Sequence, residues 1–252
     1  MLYYVCPNKT ELGVEAAKKG TELITQALEK NGTANIVLAT GASQFEMLKQ
    51  LVEYKVVDWS RVTVFQLEEY IGLSKDHPAL FRKYLHDRFE TKVPRLKAFH
   101  YFIGDAKDPR AECLRMNKLL GGVEVHVAFL GFGENSHLAF NDPPADFEIK
   151  DPYIIVNLDE NCRKQQMGEG WFKTVADVPT SAISMSISQI MRCKAIIASV
   201  PDERKAKAVH CAIEGPVSPD CPSSILQMHN NCFVYLDPPS ASLLQGKSKY
   251  RG

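Results

Sequence analysis

The chain has 252 residues, with 30 Lys and Arg against 30 Asp and Glu, so its formal charge is zero; 45% of residues are apolar and 24% charged. Neutrality removes the clustered basic footprint that duplex nucleic acid requires, and this apolar content excludes a disordered chain. No stretch approaches the roughly 18 apolar residues of a bilayer span, and the N-terminus lacks the basic flank and apolar core of a secretory signal.

In chain order, residues 12–30 carry Val14, Ala17, Leu23, Ile24, Ala27 and Leu28 close to helical spacing, and Asn31-Gly32 ends them as a C-cap. Residues 36–39, Ile-Val-Leu-Ala, read as a short strand buried on both faces. Thr40, Gly41 and Ala42 then turn the chain into a helix from Ser43, which with Glu46 matches an S-x-x-E capping box. Residues 61–66 predict a strand, 78–89 and 111–120 predict helices, and 123–130 (VEVHVAFL) is the strongest strand pattern. Further strands are expected at 152–156, 194–200 and 232–236, and helices near 186–191, 203–214 and 222–228. With no internal repeat and no linker-like stretch, the alternation predicts one α/β domain over residues 1–252. Its sheet is largely parallel, with helices on both faces.

The seven cysteines are Cys6, Cys113, Cys162, Cys193, Cys211, Cys221 and Cys232. Their odd number, wide scatter and lack of any C-x-x-C pair predict reduced structural thiols and a cytoplasmic location. The histidines form no pair at helical metal-ligand spacing, so no metal is expected.

Ligands of parallel α/β sheets bind beyond the carboxyl ends of the strands, so the residues just after each strand matter most. Thr40, Gly41, Ala42 and Ser43 form a small-residue turn entering a helix. Such a turn suits a phosphate, although a plain βα turn with a serine cap fits equally. It is neither a Walker loop nor a G-x-G-x-x-G fingerprint. Glu68 and Glu69 follow the second strand; in extended chain they point opposite ways, so one can serve as a base while the alternative is a solvated pair.

After the strongest strand comes Gly131-Phe132-Gly133-Glu134-Asn135-Ser136-His137, and Asn141-Asp142 follows shortly after. His137 with Asp142 five residues on is a candidate oriented acid/base, a structural histidine being the other reading. Lys205, at the start of a late helix, is either a point charge for a phosphate or part of a solvated basic turn.

Five segments together resemble the glucosamine-6-phosphate deaminase (isomerase) family. They are ATGASQFEML (39–48), FQLEEYIGLSKDHPALFRKYLHDRF (65–89), LGFGENSHLAFNDPP (130–144), DVPTSAISMSISQIM (177–191) and RKAKAVHCAIEGPVSPDCPSSILQMH (204–229). The resemblance implies a Rossmann-like doubly wound fold, no cofactor, and aldose–ketose isomerisation of an amino-sugar phosphate with release of ammonia. It implies that Thr40, Gly41, Ala42, Ser43 and Lys205 hold the phosphate. It likewise assigns Glu68 as the base between C2 and C1, His137 to ring opening, and Asn135 and Asp142 to tuning that histidine.

The chain departs from the family pattern at several of these positions. Glu68 stands for Asp, reaching one methylene further; Asp142 stands for Glu, one methylene shorter; Ser136 stands for Gly. Asn135 stands for Asp and removes a negative charge near His137. The family's phosphate arginine, in an N-x-R-F-F stretch, meets Gln165-Gln166-Met167-Gly168-Glu169-Gly170-Trp171-Phe172, with Arg163 nearby. These departures leave substrate identity open. The expected partner is a small phosphosugar, with no nucleic acid or membrane, and a homo-oligomer is left open. Two rival readings stand beside the deaminase: a 6-phosphogluconolactonase-type hydrolase, related in fold, and a non-catalytic sugar-phosphate sensor.

Overall fold

The computed structural model describes residues 1–246. In chain order it contains β1 (Leu2–Val5), α1 (Lys9–Asn31), β2 (Ala34–Leu38), α2 (Phe45–Leu51), β3 (Val62–Gln66) and β4 (Glu68–Tyr70). Next come α3 (Phe81–Leu85), β5 (Ala98–His100), α4 (Pro109–Leu120), β6 (Val127–Leu130) and β7 (Tyr153–Asn157). The remainder is α5 (Glu160–Gly168), β8 (Ser181–Met185), α6 (Ile187–Arg192), β9 (Ala195–Val200), α7 (Ala206–Glu214) and β10 (Cys232–Leu236).

Seven strands form a parallel sheet in the order β1-β10-β9-β6-β2-β3-β5. Successive side chains of a strand face opposite ways, so each central strand feeds two cores. Val37, Phe65, Ala128, Ile196 and Val234 pack with α4, α6 and α7 on one side. Ile36, Val64, Val127 and Ile197 pack with α1, α2 and α3 on the other. This is the expected doubly wound α/β architecture. Its strand order reverses direction at β2, which lies between β3 and β6, and the crevice at such a switch point is the usual ligand site.

Helix α1 begins where the Asn8 side chain accepts the backbone N–H groups of Thr10 and Glu11 at 2.9 and 3.0 Å, and it ends at Gly32 with φ +74°. Asn8→Ala is expected to cost about 1 kcal/mol, read as a lower urea midpoint with unchanged slope. An unaltered midpoint would show that the cap contributes nothing.

Several expectations change. The strand near 152–156 is β7, and it belongs to a separate antiparallel sheet in the order β4-β8-β7. One face of β7 is exposed, which suits an antiparallel sheet rather than the buried parallel one. The Ser43–Glu46 capping box does not form. A 3₁₀ turn at Ala42–Gln44 precedes α2, and the Ser43 hydroxyl accepts the Gln44 amide instead. Pro78 lies before α3, which starts at Phe81 and runs into a π-helical turn at His86–Glu90. The segment Pro222–Met228 is a 3₁₀ helix. Cys211 and Cys221 are disulfide-bonded with their Cα atoms 6.4 Å apart, so the expectation of seven reduced thiols holds for five, all buried. A loop through Gly215 brings the two together from positions ten residues apart, a proximity that spacing alone did not signal.

Leu67 alone separates β3 from β4, and it stitches the two sheets together. Its N–H donates to Leu38 O at 3.1 Å and its carbonyl accepts Met185 N–H at 3.0 Å. Residue 68 is thereby delivered to the end of the parallel sheet.

Candidate active site

A cavity of about 610 Å³ opens at the carboxyl ends of β2, β6 and β9, within the size range of small-ligand sites. Thr40, Gly41, Ala42 and Ser43, together with Glu68, His137 and Lys205, all line it. The turn after β2 depends on Gly41, whose φ of +89° lies in a region L side chains avoid. The Tyr84 hydroxyl fixes it by donating to Gly41 O at 3.0 Å.

Glu68 is 7% exposed on β4, in register with Ser184. Its Oε2 has no hydrogen-bond partner among the described residues. Burial pushes its pKa up to about 8, helped by the charges of Glu69 and Glu169, while a hydrogen bond from Thr40 favours the ionised form. Glu69, the next residue, faces away from the cavity and is architectural. Its carboxylate accepts the N–H groups of Tyr70, Phe81 and Arg82 and the Gln66 amide at 2.8–3.2 Å, fixing the start of α3. The alternation along the strand thus separates two neighbouring carboxyls.

His137 Nδ1 lies 3.1 Å from Asp142 Oδ1. Asp142 is held in turn: Asn135 Nδ2 donates to Oδ1 at 3.0 Å, and the Asp159 N–H donates to Oδ2 at 3.0 Å. Burial opposes ionisation of Asp142, but the His137 ring, the Asn135 amide and the Asp159 N–H outweigh it, so its pKa lies below the ordinary value. Asn135 makes no hydrogen bond to the imidazole among the described residues; its carbonyl accepts the His137 backbone N–H at 3.2 Å. Asp142 and Asn135 therefore sit behind the histidine, outside the cavity lining. Gly133 makes room for this arrangement, since a Cβ there would collide with the His137 ring. Ser136 adopts φ +73°, where glycine would be at ease. It is held by Ser223 N–H on its carbonyl at 3.0 Å and by hydroxyl contacts with Ser223 and Cys221.

Cys162 also reaches Asp142, and His137, Asp142 and Cys162 bring potential ligand atoms within 4.8 Å of one another. Burial and the charges of Asp142 and Asp159 raise the Cys162 pKa far above the usual thiol range. The contacts of Asp142 with His137, Asn135 and the Asp159 N–H make this cluster a hydrogen-bonded support for the histidine.

Lys205 is not part of a solvated basic turn. It is 7% exposed, lines the cavity, and its ammonium makes no hydrogen bond or ion pair among the described residues. Burial lowers its pKa, and Glu169 and Glu134 counteract this. A buried ammonium facing a cavity without a partner is suited to an anion.

A family model described as glucosamine-6-phosphate isomerases/6-phosphogluconolactonase matches residues 7–235. The chain belongs to this family. Among curated proteins, the glucosamine-6-phosphate deaminase of Exiguobacterium sibiricum is 35% identical over 243 residues, covering 96% of this chain and 94% of that protein. That of Lactobacillus delbrueckii subsp. bulgaricus is 35% identical over 245 residues, covering 97% and 100%. A solved monomeric glucosamine-6-phosphate deaminase superposes with a TM-score of 0.87 at 30% identity, covering 97% of this chain and 100% of that one. The 6-phosphogluconolactonase of Trypanosoma brucei, at 16% identity and a TM-score of 0.77 over 96% of this chain and 98% of that one, shares the fold.

The family's arginine has no counterpart where the resemblance places it. Arg163 is committed to backbone carbonyls, donating to Val175 O at 2.7 Å and Val178 O at 3.2 Å. The end of α5 supplies Gln165, Gln166 and Glu169 to the cavity instead. Gln165 Oε1 accepts the Glu134 N–H at 2.7 Å, and Gln166 Oε1 accepts the Tyr70 hydroxyl at 2.7 Å. The Glu169 carboxylate lies 3.4 Å from where a Cβ on Gly41 would sit. Sequence reasoning missed these three because α5 is short and mostly polar, without an apolar face to mark its ends.

Proposed function

We propose that the chain catalyses aldose–ketose isomerisation of an amino-sugar phosphate of the glucosamine-6-phosphate type, releasing ammonia and a ketose phosphate. The observation that carries this reading is one cavity with an unpartnered buried ammonium, Lys205, and two proton-transfer groups, Glu68 and His137. The named relatives and the family membership support it.

In this reading the phosphate lies against the turn of Thr40, Gly41, Ala42 and Ser43 and against Lys205. Asp142 accepts the Nδ1–H of His137, which leaves Nε2 to move a proton between the ring oxygen and the anomeric hydroxyl, opening the pyranose. Glu68 removes the proton from C2 as the C1 carbonyl oxygen takes one from solvent water, giving an enolamine; the N–H proton lost when C1 is later protonated returns to that solvent. Glu68 then delivers its proton to C1, and the enol O–H of C1 is retained as a hydroxyl. The resulting C2 imine adds water and expels ammonia. The burial that raises the Glu68 pKa favours both halves of this shuttle, because a group titrating near neutrality gives up its proton as readily as it takes one.

No described helix is long and apolar enough to cross a membrane, and five cysteines are free and buried. We place the enzyme in the cytoplasm, as a single domain, because its named relatives act on a phosphorylated sugar, with the Cys211–Cys221 pair counting the other way.

Ammonia release from glucosamine-6-phosphate and galactosamine-6-phosphate, run beside hydrolysis of 6-phosphogluconolactone, tests the proposal. The expected result is ammonia from at least one amino sugar and no lactone hydrolysis above background. Lactone hydrolysis without ammonia would make the chain a lactonase; tight phosphosugar binding without either product would make it a sensor.

A further inference from the structure

A sugar phosphate carries close to two negative charges at neutral pH, and Lys205 supplies one positive charge. The other cations lining the cavity are Lys9, exposed at the start of α1, and Arg204, half exposed immediately before Lys205.

Arg204 is aimed by a relay of carboxylates. Its Nε and Nη2 grip Asp202 Oδ1 and Oδ2 at 3.2 and 3.0 Å, and its backbone N–H also donates to Asp202 Oδ1 at 3.0 Å. Asp202 itself has φ +89°, a conformation that L-residues avoid and that persists only where surroundings impose it. The imposing group is Asp237, 5% exposed, whose two oxygens accept the Asp202 N–H at 3.1 and 3.2 Å and which also accepts Ser240 N–H at 3.0 Å. A strained residue, pinned by a buried carboxylate, thus clamps one edge of the guanidinium.

The other edge is loosely held. Arg204 Nη1 lies 3.6 Å from Glu134 Oε1, too far for a hydrogen bond, and both side chains line the cavity. The hydrogen bonds that Arg204 donates to Asp202 raise the Arg204 pKa and keep the group charged.

We propose that Arg204 is the second cation of the phosphate seat, taking the place of the family arginine that α5 lacks, with Glu134 as the internal anion that phosphate displaces from Nη1. This assignment rests on the reading of the cavity as a sugar-phosphate site, but its test uses inorganic phosphate and stands apart from turnover.

The test is the affinity of the full chain for inorganic phosphate, measured by calorimetry for wild type, Arg204→Gln, Glu134→Gln and the double variant. Arg204→Gln should weaken binding roughly ten- to hundredfold, the loss of one or two charge-assisted hydrogen bonds. Glu134→Gln, at a partly exposed position, should tighten it severalfold, and most of that gain should vanish in the double variant, the remainder acting through Lys205. Unchanged affinity in Arg204→Gln, no gain in Glu134→Gln, or an undiminished gain without Arg204 would each overturn the assignment. Ammonia release with an unaltered KM in Arg204→Gln would leave the reaction standing and remove the seat. Weaker phosphate binding in Arg204→Gln, with no ammonia from wild type, would do the reverse.

Discussion

Glu68→Gln is expected to cut ammonia release from glucosamine-6-phosphate by about 10²–10⁴-fold, the usual contribution of a positioned proton-transfer group, while phosphosugar binding persists. The substitution keeps the shape and removes the charge of a buried carboxyl that lines the cavity and whose Oε2 has no partner among the described residues. Wild-type kcat/KM should rise with pH toward about 8, as burial and the charges of Glu69 and Glu169 delay ionisation of Glu68, and this limb should be absent from the residual activity of the variant. The same shift bears on stability. A carboxyl whose folded pKa stands above its ordinary 4.5 favours the folded state fully below that value, and the benefit drains away as pH rises to about 8. Above that, the folded protein carries an unfavourable buried charge that Gln lacks. The variant should therefore melt at a higher temperature than wild type at alkaline pH and show little difference in mild acid. Near-wild-type ammonia release would dismiss Glu68 as the base; equal melting at alkaline pH would dismiss the strain assigned to its charge.

His137→Gln is expected to lower turnover by about 10²–10³-fold, because on the proposed reading ring opening loses its oriented imidazole. Asp142→Asn should impair the enzyme comparably, since an amide can donate to Nδ1 and thereby place the proton on Nε2, the wrong tautomer for accepting one. The two groups act through a single 3.1 Å contact, so their effects should not multiply. Steady-state ammonia release in both single variants and in the double variant decides the matter. A double variant as slow as the product of the two singles would mean that Asp142 serves something other than the histidine. More than a tenth of wild-type activity in His137→Gln would remove the imidazole from the mechanism.

The parallel sheet was legible wherever burial on both faces writes an apolar run. Ile36, Val37 and Leu38, then Val127 to Leu130, then Ala195 to Val200, declare themselves without help. The small antiparallel sheet was not. β4 spells Glu-Glu-Tyr, and it is a strand because Ser184 and Ile183 pair with it, a tertiary cause with no local signature. Five residues of proximity made the His137–Asp142 pair visible in the sequence. Two of the partners of Asp142 were hidden, because Asp159 and Cys162 come from a distant segment. Arg204 was visible only as part of a basic turn. What turns it toward the cavity is the unusual backbone of Asp202, fixed by a residue 35 positions later.

Helix α5 touches the site at both ends. At its start, Asp159 and Cys162 support Asp142 and hence the imidazole. At its finish, Gln166 bonds Tyr70 beside the base, and Glu169 lies over the turn that contains Gly41. Its nine residues span about 13 Å at the ordinary helical rise. The helix therefore works as a ruler laid along the cavity, with the support of His137 at one mark and the turn of Gly41, the proposed phosphate seat, at the other. Adding one residue within it would push the marks roughly 1.5 Å apart and swing one end by about a quarter turn. On the proposed reading, the distance between the imidazole's support and the Gly41 turn is thus set by the count of residues in a helix as well as by single side chains.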